Sequence, residues 1–165
     1  MITLYNVISA DGFIARKNGD EDFIPDEFWD EFVDLCKKYD AFVMGRNTFE
    51  AIQKYSIEQI KQLEDLDLKR IVVTNDPSFI TSDKYTIVHS PEEALKHAAN
   101  ILISSGPTLN TSVLKLGLVD KVILNTLPEM IGEGIKAFQI EPNLIIEFVI
   151  DKGNGRKRFI YRVQK

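Results

Sequence analysis

Three short segments carry the residue types that hold anions. Met44 is followed by Gly45-Arg46-Asn47-Thr48, Val73 by Thr74-Asn75-Asp76, and Ile103 by Ser104-Ser105-Gly106-Pro107-Thr108. Each stands where an apolar run stops, and each offers small or hydroxyl-bearing residues whose backbone N–H groups are free. Where such a segment starts a helix, those N–H groups and the helix dipole favour a phosphate or carboxylate. Arg46 adds a planar fork of donors suited to phosphate. The alternative is capping, since Ser, Thr and Asn belong at helix starts with or without a ligand. One junction alone fits either reading; two together, with an arginine, point to a phosphate site.

The elements that must position these segments follow from periodicity. Ile2 to Ile8 reads as a strand that ends in the turn composition Ser9-Ala10-Asp11-Gly12. A polar loop, Arg16 to Asp22, contains the tight-turn pair Asn18-Gly19. Pro25-Asp26-Glu27 starts a helix, with Phe28, Phe32, Leu35 and Tyr39 on one apolar face. Ala41 to Met44, Ile71 to Thr74 and Ile101 to Ile103 are the apolar runs of strands covered on both faces. Between them lie helical segments through Ile57, Ile60 and Leu63, and from Pro91 to Ala99, with a short strand at Thr86 to Val88. A helix running to Leu116, a strand from Val122 to Asn125 and a hairpin complete the chain. The hairpin joins Leu144–Ile150 to Arg158–Val163 through Gly153-Asn154-Gly155. The pattern predicts one α/β domain over residues 1–165, a mixed, mostly parallel sheet flanked by helices with an antiparallel end. In such sheets a ligand lies beyond the carboxyl ends of the strands, which is where the three segments fall.

Composition limits the partners. The chain of 165 residues carries a net charge of -5, which argues against nucleic acid and against docking on acidic lipid. Cys36 is the one cysteine, and with only His89 and His97 as histidines no Cys-rich or His-rich metal site is expected. No secretory signal or membrane span is legible, so a cytoplasmic protein is expected.

Two blocks, Ile8-Ser9-Ala10-Asp11-Gly12-Phe13-Ile14-Ala15 and Val43-Met44-Gly45-Arg46-Asn47-Thr48-Phe49-Glu50, resemble the dihydrofolate-reductase-like superfamily. The run Ser105-Gly106-Pro107-Thr108-Leu109, with Gly117-Leu118-Val119-Asp120, Pro128 and Gly132-Glu133-Gly134, resembles the reductase domain of the bifunctional riboflavin-biosynthesis deaminase/reductases. The resemblance implies NADPH and hydride transfer to a C=N bond. Under it, Gly45, Arg46 and Thr48 would hold cofactor phosphates. Thr74 and Asn75 would lie near the adenosine 2′-phosphate, and Ser105, Gly106, Pro107 and Thr108 would receive the pyrophosphate. The backbone at Val7 and Ile14 would face the nicotinamide carboxamide. A homodimer is also in keeping with it.

Some features depart from that pattern. The usual Gly-Gly pair reads Ser105-Gly106, the deaminase's zinc-binding motifs are missing, and so is the longer acidic segment after the second strand of the reductases. Glu27 stands where dihydrofolate reductases place the acid that binds the pterin; the alternative is a helix-start glutamate stabilised by the dipole. Phe23 and Ile24 stand in place of the tryptophan those enzymes carry before the proline, and Lys69 and Arg70 are only loose matches for their tail-binding arginine. Asp11 is a second candidate acid or a turn former. Trp29 could stack on a flat substrate or pack in the core. The expected function is NADPH-dependent reduction of a small nitrogen heterocycle or imine, first of all 5-amino-6-(5-phosphoribosylamino)uracil. Dihydrofolate is the alternative substrate, and a non-catalytic NADPH-binding regulator the alternative of another kind.

Overall fold

The computed structural model describes residues 1–165. The chain runs β1 (Ile2–Ile8), β2 (Phe13–Ala15), α1 (Glu27–Cys36), β3 (Ala41–Gly45), α2 (Arg46–Ile52), α3 (Ile57–Glu64), β4 (Lys69–Val73) and β5 (Thr86–Val88). It continues through α4 (Pro91–Ala94), β6 (Ile101–Ile103), α5 (Pro107–Lys115), β7 (Lys121–Thr126), β8 (Ile135–Lys136), β9 (Leu144–Gly153) and β10 (Arg156–Val163). Eight strands form one sheet in the order β5-β4-β3-β6-β1-β7-β10-β9, and β2 pairs with β8 in a separate ribbon. The six strands from β5 to β7 are parallel, and β10 returns antiparallel beside β7.

The central strands are buried because their residues are apolar on both faces. Ala41, Phe42, Val43, Met44, Ile101, Leu102 and Ile103 are fully enclosed. One core layer lies under α1, where Phe32 stacks on Tyr5 with ring centroids 6.0 Å apart and meets Phe42 edge-on at 5.1 Å. The other lies under α4 and α5, around Leu4, Ile101, Ile103, Val113 and Val122. The mixed sheet and its antiparallel hairpin are as the sequence predicts. At the hairpin turn Asn154 takes φ 56° and Gly155 φ 75°, the left-handed conformations of a tight two-residue loop.

Two local expectations change, and one element is new. The helix from Pro91 stops at Ala94, and Lys96 and His97 continue it with tight bonds to the Glu93 and Ala94 carbonyls. Those i→i+3 bonds form a narrower turn that delivers Asn100 to the start of β6, where its amide donates to the Lys38 carbonyl. The strand read as Ile71 to Thr74 instead begins at Lys69 and ends at Val73. The ribbon of β2 and β8 went unread, because three residues and two carry no periodicity.

Candidate active site

β3 and β6 are parallel neighbours, with Ala41 opposite Ile101 and Val43 opposite Ile103. Gly45-Arg46 and Ser105-Gly106 therefore leave the sheet side by side. Gly45 is the N-cap of α2 and Gly106 that of α5, and neither supplies a side-chain cap. Elsewhere in the chain Ser56 accepts a bond from the Gln59 N–H and Ser90 one from the Glu93 N–H. Serines thus cap α3 and α4, while α1 starts at Asp26 without a side-chain cap bond. The two glycine starts are set apart by place: they stand at the exits of adjacent parallel strands, where helix N-termini can receive an anion.

The glycines differ in purpose. Gly106 has φ -79°, which any residue could adopt, and a Cβ added there would meet nothing within 4 Å. Its missing side chain leaves the approach to α5 clear. A Cβ on Gly45 would lie 3.0 Å from Ser105 Oγ. The Gly45 N–H donates to that oxygen at 3.0 Å, and the Thr48 hydroxyl lies 3.3 Å from it. Ser105 is held in turn by the amides of Asn6 and Asn110, each donating to its carbonyl at 3.0 Å. The serine that replaces the family's glycine thus ties the two turns together.

Arg46 is not a free cation. Its Nε donates to Glu50 at 2.9 Å and its Nη1 to Asp76 at 2.8 Å, and its guanidinium lies 4.9 Å from the Phe79 ring centroid. Asp76 comes from the exit of β4, next to β3 in the sheet. Thr74 is buried, and its hydroxyl accepts from the Asp76 N–H at 3.2 Å; Asn75 is exposed.

At the exit of β1 the Asp11 carboxylate accepts from the Ser9 hydroxyl at 2.7 Å, the Ile131 N–H at 3.2 Å and the Gly132 N–H at 2.7 Å. The Ser9 bond and the backbone donors hold its pKa below the usual carboxylate value. It thereby braces the loop between β7 and β8. Val7 and Ile14 are half-buried on β1 and β2. The ribbon holding Ile14 requires Gly134, because a Cβ there would sit 2.3 Å from the Ala15 carbonyl oxygen.

Glu27 lies in the first turn of α1 and bonds to Arg156 of β10, whose guanidinium lies 5.4 Å from the Phe28 ring centroid. One helical turn on, Glu31 accepts from Arg158 Nη2 at 3.1 Å. Arg158 Nε donates to Asn125 Oδ1 at 2.8 Å, and the Asn125 amide donates to the Tyr5 hydroxyl at 2.9 Å. Burial raises the Tyr5 pKa, so its hydroxyl stays a neutral phenol. This chain of polar groups crosses β1, β7 and β10 beneath α1. Arg156, Arg158, Glu31, Asn125 and Tyr5 were all missed from the sequence. A signal existed: acids at i and i+4 on a helix, and bases at i and i+2 on a strand, each share one face.

The remaining candidates lie elsewhere. Lys69 donates to the His97 carbonyl, and Arg70 to those of Leu63, Leu66 and Lys84, at the N-terminal end of β4 and away from the strand exits. Trp29 is buried in the core layer, its indole N–H donating to Gln62 at 2.8 Å. Cys36 is buried, and desolvation pushes its pKa up to about 12, as suits an inert thiol.

A family model described as the RibD C-terminal domain matches residues 1–149. The protein YwjB of Bacillus subtilis is 27% identical over 145 residues, covering 82% of this chain and 80% of that protein. A riboflavin biosynthesis protein from Shewanella sp. PV-4 superposes with a TM-score of 0.80 at 20% identity, over 99% of both chains. The deaminase/5-amino-6-(5-phosphoribosylamino)uracil reductase of Thermotoga maritima superposes with a TM-score of 0.75 at 15% identity, over 99% of this chain and 56% of that one.

Proposed function

Because the chain belongs to the RibD C-terminal domain family, we propose that it is a cytoplasmic oxidoreductase that reduces a C=N bond in a small nitrogen compound. The family resemblance implies NADPH as the dinucleotide, and the first candidate substrate is 5-amino-6-(5-phosphoribosylamino)uracil. The observation that carries the reading is the pair of glycine-capped helix starts at the adjacent exits of β3 and β6.

The fit to a dinucleotide can be argued atom by atom. The N–H groups of Gly106 and Thr108, on either side of Pro107, suit a pyrophosphate, with the α5 dipole behind them. Gly45, Arg46 and Thr48 border the same opening, and Ser105 fixes their spacing. Thr74 and Asn75 stand at the adenosine end. Val7 and Ile14, at the exit of β1 and on the neighbouring ribbon, would offer backbone groups to the carboxamide. The dinucleotide supplies a hydride to the carbon of the C=N bond, and the nitrogen takes a proton.

The protein's part is to orient the acceptor and deliver that proton. We assign that part to Glu27, at the N-terminus of α1 and bonded to Arg156 of β10. Asp11, committed to three donors, is retained as a positioning residue. The apolar edge strand β9 adds a second element to the reading. Ile145, Ile146, Phe148, Val149 and Ile150 are 36% to 62% exposed along an unpaired edge. Natural edges are normally blunted by charge or proline, so a second copy pairing here as a homodimer accounts for the patch.

The test is oxidation of NADPH and NADH by the purified protein with the phosphoribosylaminouracil or with dihydrofolate. Substrate-dependent loss of nicotinamide absorbance supports the reading. Tight dinucleotide binding without turnover of either compound would instead favour a binding regulator.

A further inference from the structure

We propose that Asp76, held against Arg46 at the exit of β4, sets the choice of dinucleotide by disfavouring a 2′-phosphate and favouring the free ribose diol. The inference rests on the reductase reading and modifies the NADPH preference that the resemblance implies.

The position follows from the sheet. β3 and β4 run parallel with Gly45 opposite Val73, so Arg46 and Thr74-Asn75-Asp76 emerge beside one another. An arginine there would ordinarily welcome an extra phosphate. Here the guanidinium donates from Nε to Glu50 at 2.9 Å and from Nη1 to Asp76 at 2.8 Å. One positive charge faces two negative ones. A 2′-phosphate brings nearly two further negative charges, about −1.5 to −2 near neutral pH. At Arg46 it would stand beside the Glu50 and Asp76 carboxylates, like charge against like charge.

Asp76 cannot easily turn aside. Its Oδ1 accepts from the Ser78 N–H at 2.9 Å and the Ser78 hydroxyl at 2.6 Å, while its own N–H donates to Thr74 Oγ1. The Ser78 bonds hold its pKa below the usual carboxylate value, so it is ionised at neutral pH. Arg46 is the only cation paired with it. The neighbouring His89 directs Nδ1 to the Thr74 carbonyl oxygen at 2.8 Å. An ionised acid at the end of the adjoining strand is the arrangement that accepts hydrogen bonds from a 2′-hydroxyl in dinucleotide-binding sheets generally.

The experiment is calorimetric titration of the wild type and Asp76→Asn with NADPH and with NADH. Asparagine keeps Oδ1 for Ser78 and so keeps the turn; Asp76→Ser removes the charge by a second route. The wild type should bind NADH at least as tightly as NADPH. Both variants should gain about tenfold in affinity for NADPH, with NADH affinity changing by less than about threefold. A wild type that prefers NADPH by about tenfold or more, with a ratio the variants leave unchanged, overturns the inference and leaves the reductase reading standing. Failure of the wild type to bind either dinucleotide overturns both.

Discussion

The Ser105 hydroxyl accepts the Gly45 N–H at 3.0 Å, joining the exits of β6 and β3 across 60 residues of sequence. The contact explains why Gly45 is glycine: its φ of -79° demands none, but a Cβ would press on Ser105 Oγ. It also assigns a task to a residue that looked like a defect in the family's glycine pair.

Gly45→Ala should therefore destabilise the protein by about 1–3 kcal/mol, through overpacking and the displaced serine. In a Ser105→Gly background the same change should cost less, because the hydroxyl it meets is gone. Denaturant unfolding of the four proteins measures the coupling. Simple additivity would mean that the two turns are not in contact.

Glu27→Gln should lower turnover about a hundredfold or more while leaving dinucleotide affinity within about twofold, if Glu27 orients substrate and supplies the proton. Its ion pair with Arg156 is 59% exposed on the glutamate side, so the change in stability should stay under about 1 kcal/mol. Steady-state kinetics beside calorimetric binding separates the two effects. Equal losses in both would place Glu27 outside the reaction.

Asp11 carries a pH dependence with a definite sign. Its folded-state pKa is lowered, chiefly by the Ser9 bond, so it stabilises the native state above the ordinary carboxylate pKa. That contribution disappears as pH falls through the lowered value. The protection factors for amide exchange at Ile131 and Gly132, taken against the intrinsic rate at each pH, should be high at neutral pH and fall selectively in acid. In Asp11→Asn the protection should be reduced at neutral pH and show little of this acid response. Retained protection in that variant would show that the brace is made by other contacts.

Phe148→Lys, at the middle of β9, should leave the fold intact and abolish self-association, since a desolvated ammonium on a paired edge has no partner. Sedimentation velocity should show a dimer for the wild type and a monomer for the variant. A wild type that is monomeric at high concentration would leave the apolar edge to another partner.

Much of this site was legible because strand exits announce themselves. Apolar runs such as Ala41 to Met44 and Ile101 to Ile103 end abruptly at Gly45 and Ser104, and the next residues show helical spacing. The spacing of Phe28, Phe32 and Leu35 likewise matches the buried face of α1, while Tyr39, expected on the same helix, is buried three residues beyond its end. What was not legible depends on topology. Glu27 and Arg156 stand 129 residues apart and meet only because β10 lies beside β7 while α1 packs over β1. The β2–β8 ribbon depends on the close approach of Gly134 to Ala15, and local periodicity contains no trace of it. The engagement of Arg46 by both Glu50 and Asp76 was half visible. Glu50 follows at helical i+4 spacing, but Asp76 arrives only through the pairing of β3 with β4.

The central claim is hydride delivery to a C=N carbon. The most direct measurement uses reduced dinucleotide deuterated at the transferring position of nicotinamide C4, with the phosphoribosylaminouracil as acceptor and the product examined by mass spectrometry and NMR. The account predicts deuterium fixed on the sugar carbon bonded to the amino nitrogen, with matched oxidation of the dinucleotide. Oxidation without deuterium on that carbon, or no reaction by a protein that binds the dinucleotide, would contradict it.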